Sequence, residues 1–444
     1  MIVGTWTRTH VRTLRKTALR MTQEELAEVL GFKLETIQKW EQRATAERPV
    51  IGQSAAALDT LLASLDPAGM ARFEVALADA GLINSVDGEA LSEFERLETG
   101  TSEGAEHGPE EDDDMKRRQL FVAGTVAGLT ILAPPRRAAR IGMPEAQRLS
   151  KRVGNFVTTE QTVGGGALAQ LARADLENAK AALTTCEIDS AVAPLFASAA
   201  GNMAVTAGWL YYDNDDQLDA RDCYRDAMAL ANETGDDELA AHTCLNVALQ
   251  ITTQARRGAA HPTSALRSIS RAADLTRRQS SGRIHALIAS RQATAYACLG
   301  DRSAFARAVA TAWREMDLAS DHEPIEECAG WLKFLCHNEI RYHEACGYAY
   351  LGEASRAAEL FEQVAAERTG QRNAANYRAW LASSLAEVGN IDDAVSVAAD
   401  VLDNLGRGVS SGRTLRVLEP VRAAAVKPRH LEFQQRYDRF ATPD

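Results

Sequence analysis

Cysteine is scarce and scattered in this 444-residue sequence. The seven cysteines lie between residues 186 and 346, are odd in number and form no CxxC motif. A disulfide framework therefore has no basis, and the pattern is typical of reduced thiols that fill small core positions in a cytosol. Residues 1–20 alternate polar and basic side chains without an apolar centre, so we expect no secretory signal peptide and a cytoplasmic location.

Long apolar runs are also few. Residues 120–133 form a run of 14, preceded by the pair Arg117 and Arg118. At ~1.5 Å per residue such a helix covers about 21 Å, which is short of a ~30 Å hydrocarbon core. A twin-arginine export signal would have to be N-terminal. Small residues in the run favour close packing, so we expect residues 115–143 to form an apolar connecting helix or a dimer contact, with membrane association as the alternative.

Negative charge is concentrated in one segment. The chain has a net charge of −12, yet residues 1–60 carry nine Lys/Arg and seven Asp/Glu. Residues 61–114 carry two and fifteen, and this stretch ends in a like-charge run that cannot bury enough apolar area to order itself. We expect residues 86–114 to be an acidic flexible linker. The overall acidity therefore does not exclude nucleic-acid binding by the N-terminal part.

Residues 22–41 predict two short helices joined by a glycine turn. Thr22 and Glu25 have the spacing of a capping box, in which each side chain accepts a backbone N–H of the other residue. Gly31 supplies the positive φ that a turn of three or four residues needs. The apolar positions that two such helices would bury against each other are Leu26, Ala27, Leu30, Ile37 and Trp40.

This spacing resembles the repressor-type helix-turn-helix of the Xre family, which implies a lambda-repressor-like domain over residues 1–85. An ordinary helical hairpin is the alternative. Lys33 departs from the family pattern, because a Ser or Thr usually caps the second helix there and Lys cannot. The positions that match are Gln23, Ala27, Gly31, Ile37, Trp40 and Glu41.

The resemblance implies that the second helix enters the major groove of double-stranded DNA with its first residues against base edges. The side chains there suit that task, since Lys donates to guanine, Gln pairs with adenine and Glu accepts from cytosine. A merely solvated helix face is the alternative. The expected base-reading residues are Lys33, Leu34, Glu35, Gln38 and Lys39. The expected phosphate contacts, which fix register without reading sequence, are Arg12, Arg15, Lys16, Gln23 and Arg43.

Residues 144–444 predict an α-solenoid, because amphipathic helices of similar length follow one another with short breaks. Their spacing resembles degenerate tetratricopeptide (TPR) repeats. The fold class is therefore all-α, a helix-turn-helix domain followed by a TPR-like solenoid. The positions that carry the resemblance are Tyr348, Gly352, Ala357 and Phe361, then Gly389, Ala394 and Val401, with looser copies at Asp215, Ala220, Tyr224 and Ala227 and at Tyr296 and Gly300.

The concave face of such an array offers a groove for a peptide or small ligand. Asn amides in it would pair with ligand backbone groups whatever the ligand's side chains. Satisfied core or surface residues are the alternative. The positions expected to face the groove are Asn202, Trp209, Tyr212, Asn246, Glu339, Tyr342 and Asn376.

No constellation predicts catalysis. No Ser/His/Asp, Cys/His or paired-carboxylate arrangement rises above background, so we expect no enzymatic activity and no cofactor. Cys336, Glu339, His343 and Cys346 fall on one face of one helix, where helix packing is favoured over zinc because a single helix gives poor tetrahedral geometry. Residues 164–166, a Gly triplet, lack the Lys-Ser/Thr of a phosphate loop and predict a loop before a helix beginning near Ala167.

Nearly the whole chain resembles bacterial regulators that join an Xre-type helix-turn-helix to a TPR array. This implies a homodimeric transcriptional regulator that binds a palindromic operator. Related regulators sense signalling peptides, as in quorum sensing, which implies a peptide or small ligand here. The alternative is an interaction protein whose array docks a protein partner while DNA binding only localises it.

Overall fold

The protein is almost entirely helical, which confirms the all-α class. The computed structural model describes residues 6–30, 32–42, 50, single positions between 55 and 77, and residues 140–367 and 371–441. The chain forms two compact units, Met1–His107 and Gly108–Asp444. The predicted acidic linker over residues 86–114 and most of the predicted connecting helix lie outside the described residues.

The first unit contains three short helices whose apolar sides meet in one core. Helix α1 continues directly into a π-helical turn before α2. Further described positions that are helical are 55, 58, 61, 62, 69, 70, 72, 73, 76 and 77. The bounds are α1 (Arg8–Thr13), the π-turn (Leu14–Ala18), α2 (Gln23–Leu30) and α3 (Leu34–Glu41). Fully buried side chains in its core include Trp6, Leu14, Leu26, Ile37 and Phe73.

The second unit is a succession of helices joined by short turns. Small two-residue strands accompany its first helices. In chain order the elements are β1 (Arg140–Ile141), α4 (Met143–Val163), α5 (Ala169–Thr185), β2 (Glu187–Ile188), α6 (Ala193–Asp213), α7 (Gln217–Thr234), α8 (Asp237–Arg256), α9 (Pro262–Thr276), α10 (Arg283–Cys298), α11 (Arg302–His322), a 3-10 turn (Gly330–Leu332), α12 (His337–Tyr350), α13 (Ala354–Ala366), α14 (Gln371–Glu387), α15 (Ile391–Gly406), α16 (Gly412–Val417), α17 (Glu419–Ala424), a 3-10 turn (Pro428–His430) and α18 (Leu431–Ala441).

Consecutive helices pack in pairs, α6 with α7, α8 with α9, and so on to α14 with α15. The even-numbered helices from α6 to α14 also contact the next even-numbered helix along the chain. They form an inner layer, and helices such as α6 and α10 are buried on nearly every side. The odd-numbered partners bury one face and expose the other, as an outer layer requires.

The turns inside the pairs fall where the repeat pattern predicts them. Asp215, Gly300, Gly352 and Gly389 all have positive φ, between 65° and 87°. The small and aromatic positions of the pattern are buried, and Gly208 leaves room for the ring of Tyr224 to lie against the α6 backbone. The buried repeat positions are Ala220, Tyr224, Ala227, Ala357, Phe361, Ala394 and Val401.

The array returns on itself, since α14 contacts α4. The predicted glycine loop, residues 164–166, lies at this junction, although α5 begins at Ala169 rather than near Ala167. The Gly166 amide donates to the Ser410 carbonyl at 3.0 Å, and the Ser410 amide donates to the Val163 carbonyl at 2.7 Å. Inner helices therefore surround a central space instead of lining an open groove.

The described end of the predicted connecting helix is not helical, and that prediction was wrong there. Arg140 and Ile141 pair in parallel with Glu187 and Ile188. Helix α4 starts after Gly142, with Pro at its first turn and Glu145 accepting from the Gly142 amide at 2.9 Å. A proline is favoured at that position because its missing N–H would be unpaired there in any case.

Candidate functional sites

The first helix of the predicted pair, α2, begins with the predicted capping box. The Thr22 amide donates to the Glu25 carboxylate at 2.7 Å, and the Glu25 amide donates to the Thr22 hydroxyl at 3.2 Å. These bonds satisfy N–H groups that the start of α2 would leave bare. Of the residues expected to pack the pair, Leu26, Ala27 and Ile37 are buried, whereas Leu30 and Trp40 are partly buried against the same core.

A buried ion pair fixes the end of α3 against the rest of the unit. The Arg15 guanidinium donates to both carboxylate oxygens of Glu41, at 2.7 and 2.6 Å, and to the Met21 carbonyl. The Gln23 amide donates to the same carboxylate at 2.8 Å. Burial favours the neutral acid, but the bonds from Arg15 and Gln23 outweigh it, so the pKa of Glu41 lies below its ordinary value.

These contacts use the Arg15 guanidinium inside the unit instead of for the predicted phosphate contact, whereas Gln23 is half-buried and its phosphate contact stays a prediction. Arg15 is only 5% exposed, and its guanidinium is already used inside the unit. Arg12 and Lys16 are exposed, as a phosphate contact requires, and that role stays a prediction for them. Arg43 lies outside the described residues.

The predicted base-reading residues begin at the N-cap of α3 and continue along the helix, where Glu35 and Lys39 lie opposite the buried Ile37. Lys33, Glu35 and Lys39 are exposed, whereas Leu34 and Gln38 are half-buried. Lys33 stands at the N-cap and its side chain makes no capping bond, as expected from its chemistry. Within the described residues the helix thus presents an exposed polar face, and its reading of bases stays a prediction.

The second unit surrounds a cavity of about 460 Å³. Its wall is supplied by the inner helices α4, α6, α8, α10, α12 and α14, with α16 and the loop around the 3-10 turn at Gly330–Leu332. Most of the residues expected to face a groove line this space, namely Trp209, Asn246, Glu339, Tyr342 and Asn376. Tyr212 lines a neighbouring cavity of about 240 Å³. Asn202 lines neither, and its amide donates to the Ser198 carbonyl of its own helix.

Two ion pairs lie where the array returns on itself. Arg372 on α14 contacts Glu160 on α4 at 2.5 Å, and the Trp209 indole N–H donates to the same carboxylate at 3.1 Å. Arg413 on α16 contacts Asp213 at 3.0 Å, which also accepts the Gly165 amide. Burial raises the pKa of Glu160, while the two arginines hold the pKa of Asp213 low in spite of its burial.

A third buried arginine has a different partner. The Arg291 guanidinium lies 2.7 Å from the Nε2 atom of His343, and Arg291 is 6% exposed. His343 is neutral here, because burial and Arg291 both lower its pKa. Its Nε2 atom therefore accepts from Arg291, so the 3.4 Å approach of Glu339 to the same atom is not a hydrogen bond. Glu339 accepts from the Tyr377 hydroxyl at 2.6 Å.

Sequence reasoning missed the charged wall of the cavity. Arg291 lies in the middle of the Ala-rich helix α10, and an arginine that such a helix buries is usually paired with another group, which is the signal that could have found it. Arg372 and Glu160 gave no comparable signal, because their meeting depends on closure of the array. The residues missed are Glu160, His242, Arg291, Trp331, Arg372 and Arg413.

The described residues show neither a metal-binding cluster nor a membrane-spanning helix. They contain no group of three or more His, Cys, Asp or Glu side chains arranged to hold a metal ion. Cys336 is exposed at the start of α12, whereas Cys346 is buried further along it. None of the described helices combines the length and apolar composition needed to cross a bilayer.

Comparison with known proteins adds no relative. No protein-family model matches the chain. A search of curated proteins also found no match.

Proposed function

We propose that this protein is a sequence-specific DNA-binding transcriptional regulator of Xre type. The observation that carries the proposal is the exposed face of α3, whose end is held by the Arg15–Glu41 ion pair, beside an α2 that begins with the Thr22–Glu25 capping box. A short helix fixed at its end and exposing Lys33, Glu35 and Lys39 has the chemistry to contact base edges in a major groove.

The second unit is proposed to be a TPR-like solenoid that dimerises and senses a ligand. Its paired helices, positive-φ turns and central cavity support this assignment. A homodimer presents two copies of α3 to half-sites of a palindromic operator. Ligand binding changes DNA affinity to the extent that the ligand prefers one conformational state.

The test is selection of bound sequences from a random double-stranded DNA pool with the full-length protein, followed by electrophoretic shift assays on the enriched site. We expect an enriched inverted repeat, and we expect Gln38→Ala/Lys39→Ala to lose its recognition. Lys151→Ala, an exposed charge on α4 in the other unit, is the matched control. No enriched palindrome, or equal binding by the double variant and the control, rejects the regulator and favours the interaction-protein alternative.

A further inference from the structure

Positive charge exceeds negative charge around the central cavity. Four cationic residues line it, Arg291, Lys333, Arg372 and Arg413, against two lining carboxylates, Glu160 and Glu339. Asp213 adds a third carboxylate behind the wall through its contact with Arg413. Both lining histidines are neutral, since burial lowers the pKa of His242 to about 3 and also lowers that of His343. One positive charge therefore has no negative counterpart.

Two of the buried arginines have ion pairs, Arg372 with Glu160 and Arg413 with Asp213. Among the described residues Arg291 forms no ion pair, because its hydrogen-bond partner is the neutral His343 imidazole and Glu339 reaches it only across that ring. Its buried Nε atom has no partner among those residues, and Lys333, the fourth cation, is exposed to solvent. A buried guanidinium with no carboxylate bonded to it is costly unless another anion supplies charge there. Asn376, on the same wall, likewise leaves its buried carbonyl oxygen without a donor.

The rest of the wall is aromatic and aliphatic. Phe156 and Trp209 face the space from α4 and α6, and Trp331 stacks on His242 with ring centroids 4.1 Å apart. Two further lining residues, Val157 and Phe334, are 41% and 40% exposed, which is unusual for apolar side chains bordering a cavity. Such partly exposed apolar residues suit the mouth of a pocket through which an apolar molecule enters.

We propose that the cavity binds one compact aromatic organic anion, with its acidic group on the Arg291 guanidinium and its ring system against the aromatic wall. A volume of about 460 Å³ falls in the range that small-molecule pockets occupy. The contact of α14 with α4 brings the inner helices around this space, which suits a compact ligand. This inference rests on the proposed ligand-sensing role of the second unit and replaces the broad choice of peptide or small molecule with one class.

The test uses a pair of fluorescent probes that differ by one charge. Anilinonaphthalene sulfonate carries an aromatic ring system and an anionic group, and N-phenylnaphthylamine has the same rings without the acid. With the full-length protein we expect one sulfonate site per chain, bound at least ~10-fold more tightly than the neutral probe, as a charge-assisted bond provides. Because Trp209 and Trp331 line the cavity, excitation of tryptophan should transfer energy to the bound sulfonate.

Variants separate this site from general hydrophobic adsorption. Arg291→Met should remove the preference for the sulfonate and leave the neutral probe unchanged, whereas Arg291→Lys should keep part of the preference. Arg278→Met, which changes an exposed arginine just after α9 and outside the cavity lining, should match wild type. Asn246→Trp, which fills the cavity without touching the Arg291 charge, should exclude both probes.

The proposal is overturned if wild type binds both probes equally, if several weak sulfonate sites replace the single one, or if Arg291→Met keeps the preference. The wild-type comparison and Asn246→Trp decide the matter if Arg291→Met does not fold. DNA selection is run without any probe, and probe binding without DNA. An anion site with no enriched operator therefore rejects only the regulator, and the reverse result rejects only the anion site.

Discussion

The guanidinium of Arg372 and the carboxylate of Glu160 join α14 to α4 across 2.5 Å. Both side chains are nearly fully buried, with 6% and 2% of their surface exposed. The same arginine lies over the Trp209 ring, 5.0 Å from its centroid, and Trp209 donates to Glu160. Three elements distant in sequence thus share one charged contact, which makes closure of the array depend on a few side chains.

Removing one member of this pair should destabilise the second unit strongly. Arg372→Met leaves Glu160 buried without its cation, which costs roughly 3–5 kcal/mol in comparable cases. Urea unfolding followed by circular dichroism measures the loss. Arg356→Met, which breaks the exposed Arg356–Glu359 pair on α13, should cause no measurable change. Equal urea midpoints for Arg372→Met and Arg356→Met would show that the buried Arg372–Glu160 pair does not hold α14 against α4.

The double variant Glu160→Leu/Arg372→Met gives an independent check. Since it removes both charges, it should recover much of the stability that Arg372→Met loses. A double variant as unstable as the single one would indicate that packing around the pair, and not the stranded charge, sets the cost.

The glycine loop should tolerate no side chain at its middle position. A methyl group on Gly165 would overlap the Leu210 carbonyl oxygen and lie 2.9 Å from Cβ of Asp213. Because backbone must shift to admit it, Gly165→Ala should destabilise by about 1–3 kcal/mol. Gly154→Ala is the matched control, since nothing lies within 4 Å of an added methyl on that helical glycine. It should instead stabilise by roughly 0.5–1 kcal/mol in the same unfolding measurement.

The Glu41 carboxylate should make the N-terminal unit sensitive to acid. Its folded pKa lies below the ordinary value of 4.5. The contribution of Glu41 to the free energy of unfolding is therefore complete above its ordinary pKa. It is lost as the pH falls through the lower folded pKa. Hydrogen exchange of peptides covering residues 6–42, measured from pH 7 to about pH 3, reports this loss.

Glu41→Gln should lower protection of those peptides already at neutral pH and flatten their pH dependence. Glu24→Gln changes an exposed carboxyl near the start of α2 and should behave as wild type. Unchanged acid sensitivity in Glu41→Gln would assign the pH dependence to other carboxylates of the unit.

The helical architecture was largely predictable because its signals are local. The capping residues Thr22 and Glu25, and the turn glycines Gly300, Gly352 and Gly389, depend on contacts within a few residues. The strand at Arg140–Ile141 was not predictable, since it depends on a partner strand at Glu187–Ile188. The π-turn after α1 was not predicted either.

Several residues that line the cavity could be predicted from the sequence, but the charged groups of its wall could not. Trp209 and Asn376 follow from helical register, so they could be placed on an inner face. The pairing of Arg372 with Glu160 leaves Arg291 as the charge without a carboxylate, and this distinction exists only after the array has closed. For a similar reason Arg15, predicted to grip phosphate, is instead used by Glu41, because only the folded unit brings the two together.

Gln38→Ala and Lys16→Ala, on the proposed DNA-binding surface, should affect DNA binding in different ways. Gln38 is half-buried on α3, and its loss should weaken binding to the selected operator by about 1–3 kcal/mol while relaxing preference at one base position. Lys16 is exposed outside α3, and Lys16→Ala should weaken binding to all sequences alike and reduce the slope of affinity against salt by about one ion. Shift assays on the operator and on a scrambled duplex at several salt concentrations separate the two effects. If Gln38→Ala weakened both duplexes equally, α3 would be gripping the DNA backbone, and sequence would have to be read elsewhere in the protein.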